Sequence, residues 1–100
     1  MFLNKYLDSF YCDLVYDNYD FSYLEGLNEN NFKNVYNIFS EYNFYFINDI
    51  ILNYIELFEM NPIDVENSIL KLRDKLGNDF VYIIGNDMKY LNEIINGYDE

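Results

Sequence analysis

The stretch MNPIDVENSILKLRDKLG, residues 60–77, decides the fold class of this chain. Asn61 can cap a helix whose first position holds Pro62, and Asp64 lies in the first turn, where the helix dipole favours an anion. Gly77 stands where a left-handed C-cap is expected. The apolar residues between these signals recur at helical spacing, as Val65, Ile69, Leu72 and Leu76. The stretch therefore predicts one well-delimited α-helix.

A similar pattern precedes this helix. Asn28 can cap a second helix, with Leu27 and Phe32 placed as a hydrophobic staple. Its apolar side is Phe32, Val35, Tyr36, Phe39, Tyr42 and Phe46. A third helix is predicted to begin near Asn48 or Asp49, with the buried face Ile47, Ile50, Ile51, Tyr54, Leu57 and Phe58.

The two regions align at an offset of 33 residues, where Asn28 matches Asn61 and Phe39 matches Leu72. This period is typical of helix-pair repeats, so residues 28–60 and 61–97 are interpreted as a helix-pair pseudo-repeat. Any two amphipathic hairpins would align in a similar way, which is the alternative explanation. Within the second half, residues 80–84 (FVYII) fit both a strand and a helix. Residues 88–95 are predicted to form a last helix that ends at Gly97.

Residues 1–27 precede the pseudo-repeat. Leu3, Leu7, Phe10 and Leu14 have the spacing of one helical stripe over residues 2–16. Residues 16–25 (YDNYDFSYLE) predict a helix end or an ordered loop that Gly26 closes. The fold class expected for residues 1–100 is mostly α, a single small domain of four to five helices in successive hairpins. The alternative is an α+β fold in which residues 80–84 pair with a strand near residues 10–16.

Length and net charge limit the classes of function that are compatible with this sequence. One hundred residues suffice for one domain, and an apolar content of 51% is too high for a disordered acidic tail. The net charge of −12 argues against direct binding to nucleic acid or to an anionic membrane. Asn, Tyr, Ile and Phe are abundant, as in genes with A/T-rich codons, yet Lys, which uses such codons, is scarce. We therefore interpret the acidity as functional; the alternative is that it serves solubility.

The sequence gives little support for a catalytic function. Without His, no Ser-His or Cys-His pair can form, and the four glycines are scattered rather than gathered in a phosphate loop. Cys12 is the single cysteine, so no disulfide can form within one chain. We expect no enzymatic activity, cofactor or metal. No membrane-spanning run is present, and Asp8 interrupts the first residues before a signal peptide could form, so the expected compartment is a reducing cytoplasm.

Tyrosines alternate with carboxylates near the N-terminus. Tyr has a large contact area and is enriched in interfaces, and a Tyr-carboxylate patch suits a partner rich in Arg and Lys. The candidate partner-binding residues are Asp13, Tyr16, Asp17, Tyr19, Asp20, Tyr23 and Glu25. The alternative is a solvated segment over the core. Asp13, Asp17 and Asp20 would share a helical face, for which a solvated acidic surface is a better explanation than a Mg²⁺ or Ca²⁺ site.

In its small size, acidic balance and lack of catalytic residues, the chain resembles small acidic phage-type inhibitor proteins, the anti-CRISPR and anti-restriction mimics of nucleic acid. The resemblance implies a non-enzymatic protein that blocks a basic, nucleic-acid-binding surface of a CRISPR effector or nuclease in the host cytoplasm. One carboxylate per helical turn gives a charge every ~5.4 Å, against ~3.4 Å along a DNA strand, so acids from several elements must converge. The alternatives are an immunity protein that neutralises a toxin or nuclease, and a helical interaction module, including a homodimer.

Overall fold

The computed structural model describes residues 1–96, of which 78% are helical. The α-helices of this part are α1 Ser9–Asn18, α2 Phe21–Glu25, α3 Glu29–Glu41, α4 Ile47–Asn53, α5 Pro62–Leu76, α6 Phe80–Asn86 and α7 Leu91–Asn96. The 3₁₀ turns are η1 Phe2–Lys5, η2 Ile55–Glu59 and η3 Met88–Tyr90. Residues 1–96 contain no strand, so the mostly-α prediction is confirmed and the α+β alternative is wrong.

Helix α5 has the predicted ends. The Asn61 side chain accepts a hydrogen bond from the Ile63 N–H at 2.9 Å, Pro62 begins the helix, and Gly77 follows it with φ of 88°. The cap of α3 is also as predicted, because Asn28 Oδ1 accepts the Asn31 N–H at 2.9 Å. These side chains satisfy N–H groups that lack partners in the first helical turn.

Helix α3 ends earlier than its apolar spacing predicts. Asn43 adopts a left-handed conformation with φ of 65°, and its N–H donates to the Ser40 carbonyl at 3.0 Å. The Phe44 N–H donates to the Phe39 carbonyl at 3.0 Å, and the two rings meet edge to face at 5.1 Å. This is a Schellman motif with Asn in the position that Gly usually takes. Phe44 and Phe46 consequently enter the core from a loop.

The N-terminal segment is not one helix. Asp8 caps α1 by accepting the Tyr11 N–H at 2.9 Å, so the chain turns between η1 and α1 and the helical phase changes. The predicted stripe is therefore wrong at Phe10, which is 65% exposed, while Leu14 is partly buried. The buried residues of the segment are Leu3, Leu7, Cys12 and Val15.

The order of elements repeats along the chain. A long helix, a seven-residue helix and a 3₁₀ turn occur as α3, α4 and η2, and again as α5, α6 and η3. Helices α4 and α6 begin at Ile47 and Phe80, which are 33 residues apart, the period of the sequence pattern. A common origin of the two halves stays a prediction, and the predicted helix end at Gly97 lies outside the described residues.

The core is a single cluster rich in phenylalanine. The Phe58 ring stacks on Phe32 at 4.7 Å and meets Phe39 at 5.7 Å, which fixes η2 against α3. Helix α1 packs against α4, whereas Phe2 and Tyr6 pack against the Phe32 ring of α3. No helix within residues 1–96 is long and apolar enough to cross a membrane.

Candidate functional site: an acidic and aromatic face

Three tyrosines connect the N-terminal helices to α4 and η2. The Tyr11 hydroxyl donates to Asp49 Oδ1 at 2.8 Å, and the Tyr19 hydroxyl donates to the Leu52 carbonyl at 2.8 Å. The Tyr23 hydroxyl donates to the Glu59 carboxylate. The rings of Tyr19 and Tyr23 stack at 6.0 Å with an interplanar angle of 27°. Residues that are more than 30 positions apart in sequence thereby form one surface.

The predicted carboxylates are all exposed. Asp13 and Asp17 lie one turn apart on the outer side of α1, Asp20 precedes α2, and Glu25 ends it. The predicted tyrosines differ from one another in solvent exposure. Tyr16 and Tyr19 are partly buried and pack against the core. Tyr23 is 37% exposed. Binding of a partner by these seven residues stays a prediction.

Two exposed phenylalanines extend this surface. They were not predicted from the sequence as binding residues. Phe10 is 65% exposed and Phe21 is 59% exposed. Phe10, Asp13 and Asp17 are spaced by three and four residues on α1, so they share its outward side. The available signal was Asp8, whose capping role places Phe10 away from the core. We call the following residues the acidic–aromatic face: Phe10, Asp13, Asp17, Asp20, Phe21 and Glu25.

The hydroxyls of Tyr11 and Tyr23 donate hydrogen bonds to the carboxylates of Asp49 and Glu59, and they do so without adding positive charge. Burial, the hydrogen bond to Glu59 and the negative charges of Glu59 and Glu56 all raise the pKa of Tyr23 above its usual value. Burial raises the pKa of Tyr19, and Glu56 adds to the shift. A hydrogen bond to Asp49 raises the pKa of Tyr11. These hydroxyls stay neutral at physiological pH and therefore bring no charge of their own to the surface.

Basic residues are distributed unevenly. No Lys or Arg occurs between Lys5 and Lys33, or between Lys33 and Lys71. Lys5 pairs with Glu29 at 2.8 Å, and Lys75 pairs with Glu93 at 3.0 Å. Helices α1, α2 and α4 and the η2 turn contain no basic residue, and the same is true of α6 and α7.

A surface groove lies beside this region. Its volume is about 490 Å³, and its lining includes the four asparagines of residues 28–34 together with Phe58 and Glu59. The Asn31 amide donates to the carbonyls of Phe58 at 2.8 Å and Met60 at 2.9 Å, which ties α3 to η2. The groove was not predicted; the only signal for it in the sequence was the density of asparagines.

Within residues 1–96, no group of three Asp, Glu or Cys side chains is arranged to hold a metal ion. Comparison of the chain with known protein families, curated protein sequences and solved structures found no match. The geometry and charge of this region are therefore the basis for a functional proposal.

Proposed function

We propose that this chain is a non-enzymatic acidic protein that uses its acidic–aromatic face to bind and block a basic, nucleic-acid-binding surface of another protein. Phage-encoded inhibitors of CRISPR effectors or of other defence nucleases are the type of protein that we consider. The observation that carries the proposal is an exposed row of carboxylates between two exposed phenylalanines, with no basic residue on the same helices.

Convergence of elements supports this proposal. Asp13 and Asp17 alone are too widely spaced to imitate phosphates, because adjacent charges on one helix side are ~5.4 Å apart. The packing of α1 on α4 and the bond from Tyr23 to Glu59 place carboxylates of a second segment beside the first. A partner that covers α1 and α2 could thus also reach Asp49 of α4 and Glu59 of η2, which are hydrogen-bonded to tyrosines of α1 and α2.

The exposed rings give this surface an affinity that charge alone would not give. Ion pairs at an exposed rim contribute little, roughly 0–1 kcal/mol each, and they act mainly on the rate of association. Binding energy in interfaces comes chiefly from a few well-packed anchors, often aromatic. Phe10 and Phe21 can act as such anchors on the aliphatic parts of Lys and Arg side chains.

An immunity protein that neutralises one toxin or nuclease would use the same chemistry. The two roles differ in the range of partners that the protein binds. They do not differ in the face that binds them. A set of targets that includes nuclease toxins as well as CRISPR effectors and restriction enzymes separates them. Self-association as a helical module is a third hypothesis.

The test compares two triple variants of equal charge. Asp13, Asp17 and Asp20 are replaced by Lys in one variant, and Asp64, Asp74 and Asp79 in the other. Each changes the net charge from −12 to −6, because every replacement adds two positive charges. Binding to the set of targets is measured by biolayer interferometry at about 0.1 M and about 1 M salt, where the Debye length falls from about 10 Å to about 3 Å.

We expect the first variant to lose binding and the second to retain most of it, and the affinity of the wild type to fall with salt. If the two variants lose binding equally, only total charge matters and the proposed face is wrong. If the wild type binds none of the targets, or binds equally well at both salt concentrations, the proposed function is wrong.

A further inference from the structure

We propose that the groove between α3 and η2 receives an arginine side chain of the basic partner. This inference rests on the proposed function, since it assigns one recognition element of the same partner to a site beside the acidic–aromatic face. Glu25 of this face is followed by Gly26, which lines the groove, and Tyr23 of the same helix donates to Glu59 of the lining.

The carboxylate at the groove is held in place and still able to bind a cation. Glu59 Oε2 accepts the Tyr23 hydroxyl, which fixes the side chain. Glu59 Oε1 has no donor among residues 1–96, and no Lys or Arg lines the groove. A guanidinium could therefore donate to Oε1 and to the remaining lone pair of Oε2, which is the bidentate arrangement that carboxylates favour with arginine.

The amides provide further acceptors. Asn30 and Asn34 are exposed and one helical turn apart, and both line the groove. Their carbonyl oxygens can accept the N–H groups that a guanidinium retains after pairing with Glu59, because arginine has five donors and lysine three. The other two asparagines are engaged within the fold, Asn28 as the cap of α3 and Asn31 as the link to η2.

The N-terminus of α3 does not make the groove a binding site for anions. The first turn of a helix attracts anions through its free N–H groups. Here the Asn31 N–H is already bonded to Asn28, and Glu29 places a negative charge in the same turn. Glu59 would in addition repel an anion at close range.

The acceptor geometry of the groove favours arginine over lysine. Tyr23 touches the groove through its hydroxyl bond to Glu59 and is not part of the lining. A planar guanidinium can pair with the carboxylate through two N–H groups, whereas an ammonium is a compact and strongly hydrated point charge. A volume of about 490 Å³ is sufficient for one arginine with part of the flanking backbone.

The test uses two blocked pentapeptides, Gly-Arg-Gly-Arg-Gly and Gly-Lys-Gly-Lys-Gly, titrated into ¹⁵N-labelled protein. Side-chain amide signals of Asn30 and Asn34 report on the groove, and the peptide concentration at half-shift gives the affinity. We expect the arginine peptide to bind about fivefold more tightly, the equivalent of ~1 kcal/mol at an exposed site. Glu59→Gln should remove this preference, whereas the matched control Glu41→Gln, on the opposite end of α3, should keep it.

Equal affinity of the two peptides, or equal losses in Glu59→Gln and Glu41→Gln, would overturn the inference. Shifts confined to α1 and α2 would overturn it as well. The inference and the proposed function fail separately: the reversal of Asp13, Asp17 and Asp20 tests the acidic–aromatic face and should leave the arginine preference of the groove intact. Loss of the preference in that variant would also contradict a distinct arginine site.

Discussion

Replacing Asp17 by Lys should make the fold more stable while it weakens partner binding. Asp17 is in the last turn of α1, which contains no basic residue, and the negative end of the helix dipole disfavours a carboxylate there. Asp13 lies one turn earlier, and like charges at this spacing destabilise a helix. The carboxylate therefore lies at a position where it costs stability.

The size of the effect follows from these two interactions. Removing the repulsion between Asp13 and Asp17 and replacing it by an Asp–Lys pair gains about 0.4–1 kcal/mol. Exchanging an anion for a cation near the end of the helix gains at least about 0.6 kcal/mol, before solvent and salt screen it. Because both groups are exposed, we expect a net gain of about 1 kcal/mol, or about 4–8 °C in Tm for a domain of this size.

Urea unfolding followed by circular dichroism at low salt measures this gain, and about 1 M salt should remove most of it. The control is Asp64→Lys, which has the same charge change but removes a favourable anion from the first turn of α5. This control should be destabilised. If both variants gain equally, relief of the total charge is the cause; if Asp17→Lys is destabilised, the local argument is wrong.

Three further predictions concern the fold. Gly77→Ala should cost about 1–3 kcal/mol in urea unfolding, because φ of 88° with ψ of −167° is essentially restricted to Gly; Gly26→Ala, at φ of −79°, should cost almost nothing, and equal costs would refute the dihedral argument. The raised pKa of Tyr23 means that the folded chain keeps a proton which the unfolded chain releases, so stability should fall as pH rises above 10.0, and less steeply in Tyr23→Phe; parallel pH curves would contradict this. Burial raises the pKa of the Cys12 thiol, so alkylation should be slow in the folded protein and fast in urea; rapid alkylation of the folded protein would show an accessible thiolate.

Local sequence signals were sufficient to predict α5 and the start of α3. Caps such as Asn61 and Asn28, a proline in the first turn and a glycine after the last all act within a few residues, so the sequence displays them. The end of α3 was harder to predict because Asn43 adopts a left-handed conformation that Gly would have signalled more clearly. The helical phase of residues 2–16 was wrong because a single cap, Asp8, interrupts the stripe.

Long-range packing decided what the local pattern left open. Phe80 and Ile84 are buried while Tyr82 is exposed, and the Phe80 ring meets that of Phe44 at 6.0 Å. These contacts select a helix for a segment whose composition also fits a strand. The exposed carboxylates of α1 and α2 could be anticipated from spacing. The groove could not, because it forms only where η2 packs against the first turns of α3.

The central claim is that the acidic–aromatic face is the surface that a basic partner covers. Hydrogen–deuterium exchange of the chain, alone and in complex with a basic protein that it binds in the set of targets, tests this claim most directly. We expect slower exchange in residues 8–25 and 55–59 on binding, with α5 and α6 unchanged. Protection confined to α5 and α6, with residues 8–25 exchanging as in the free protein, would contradict it.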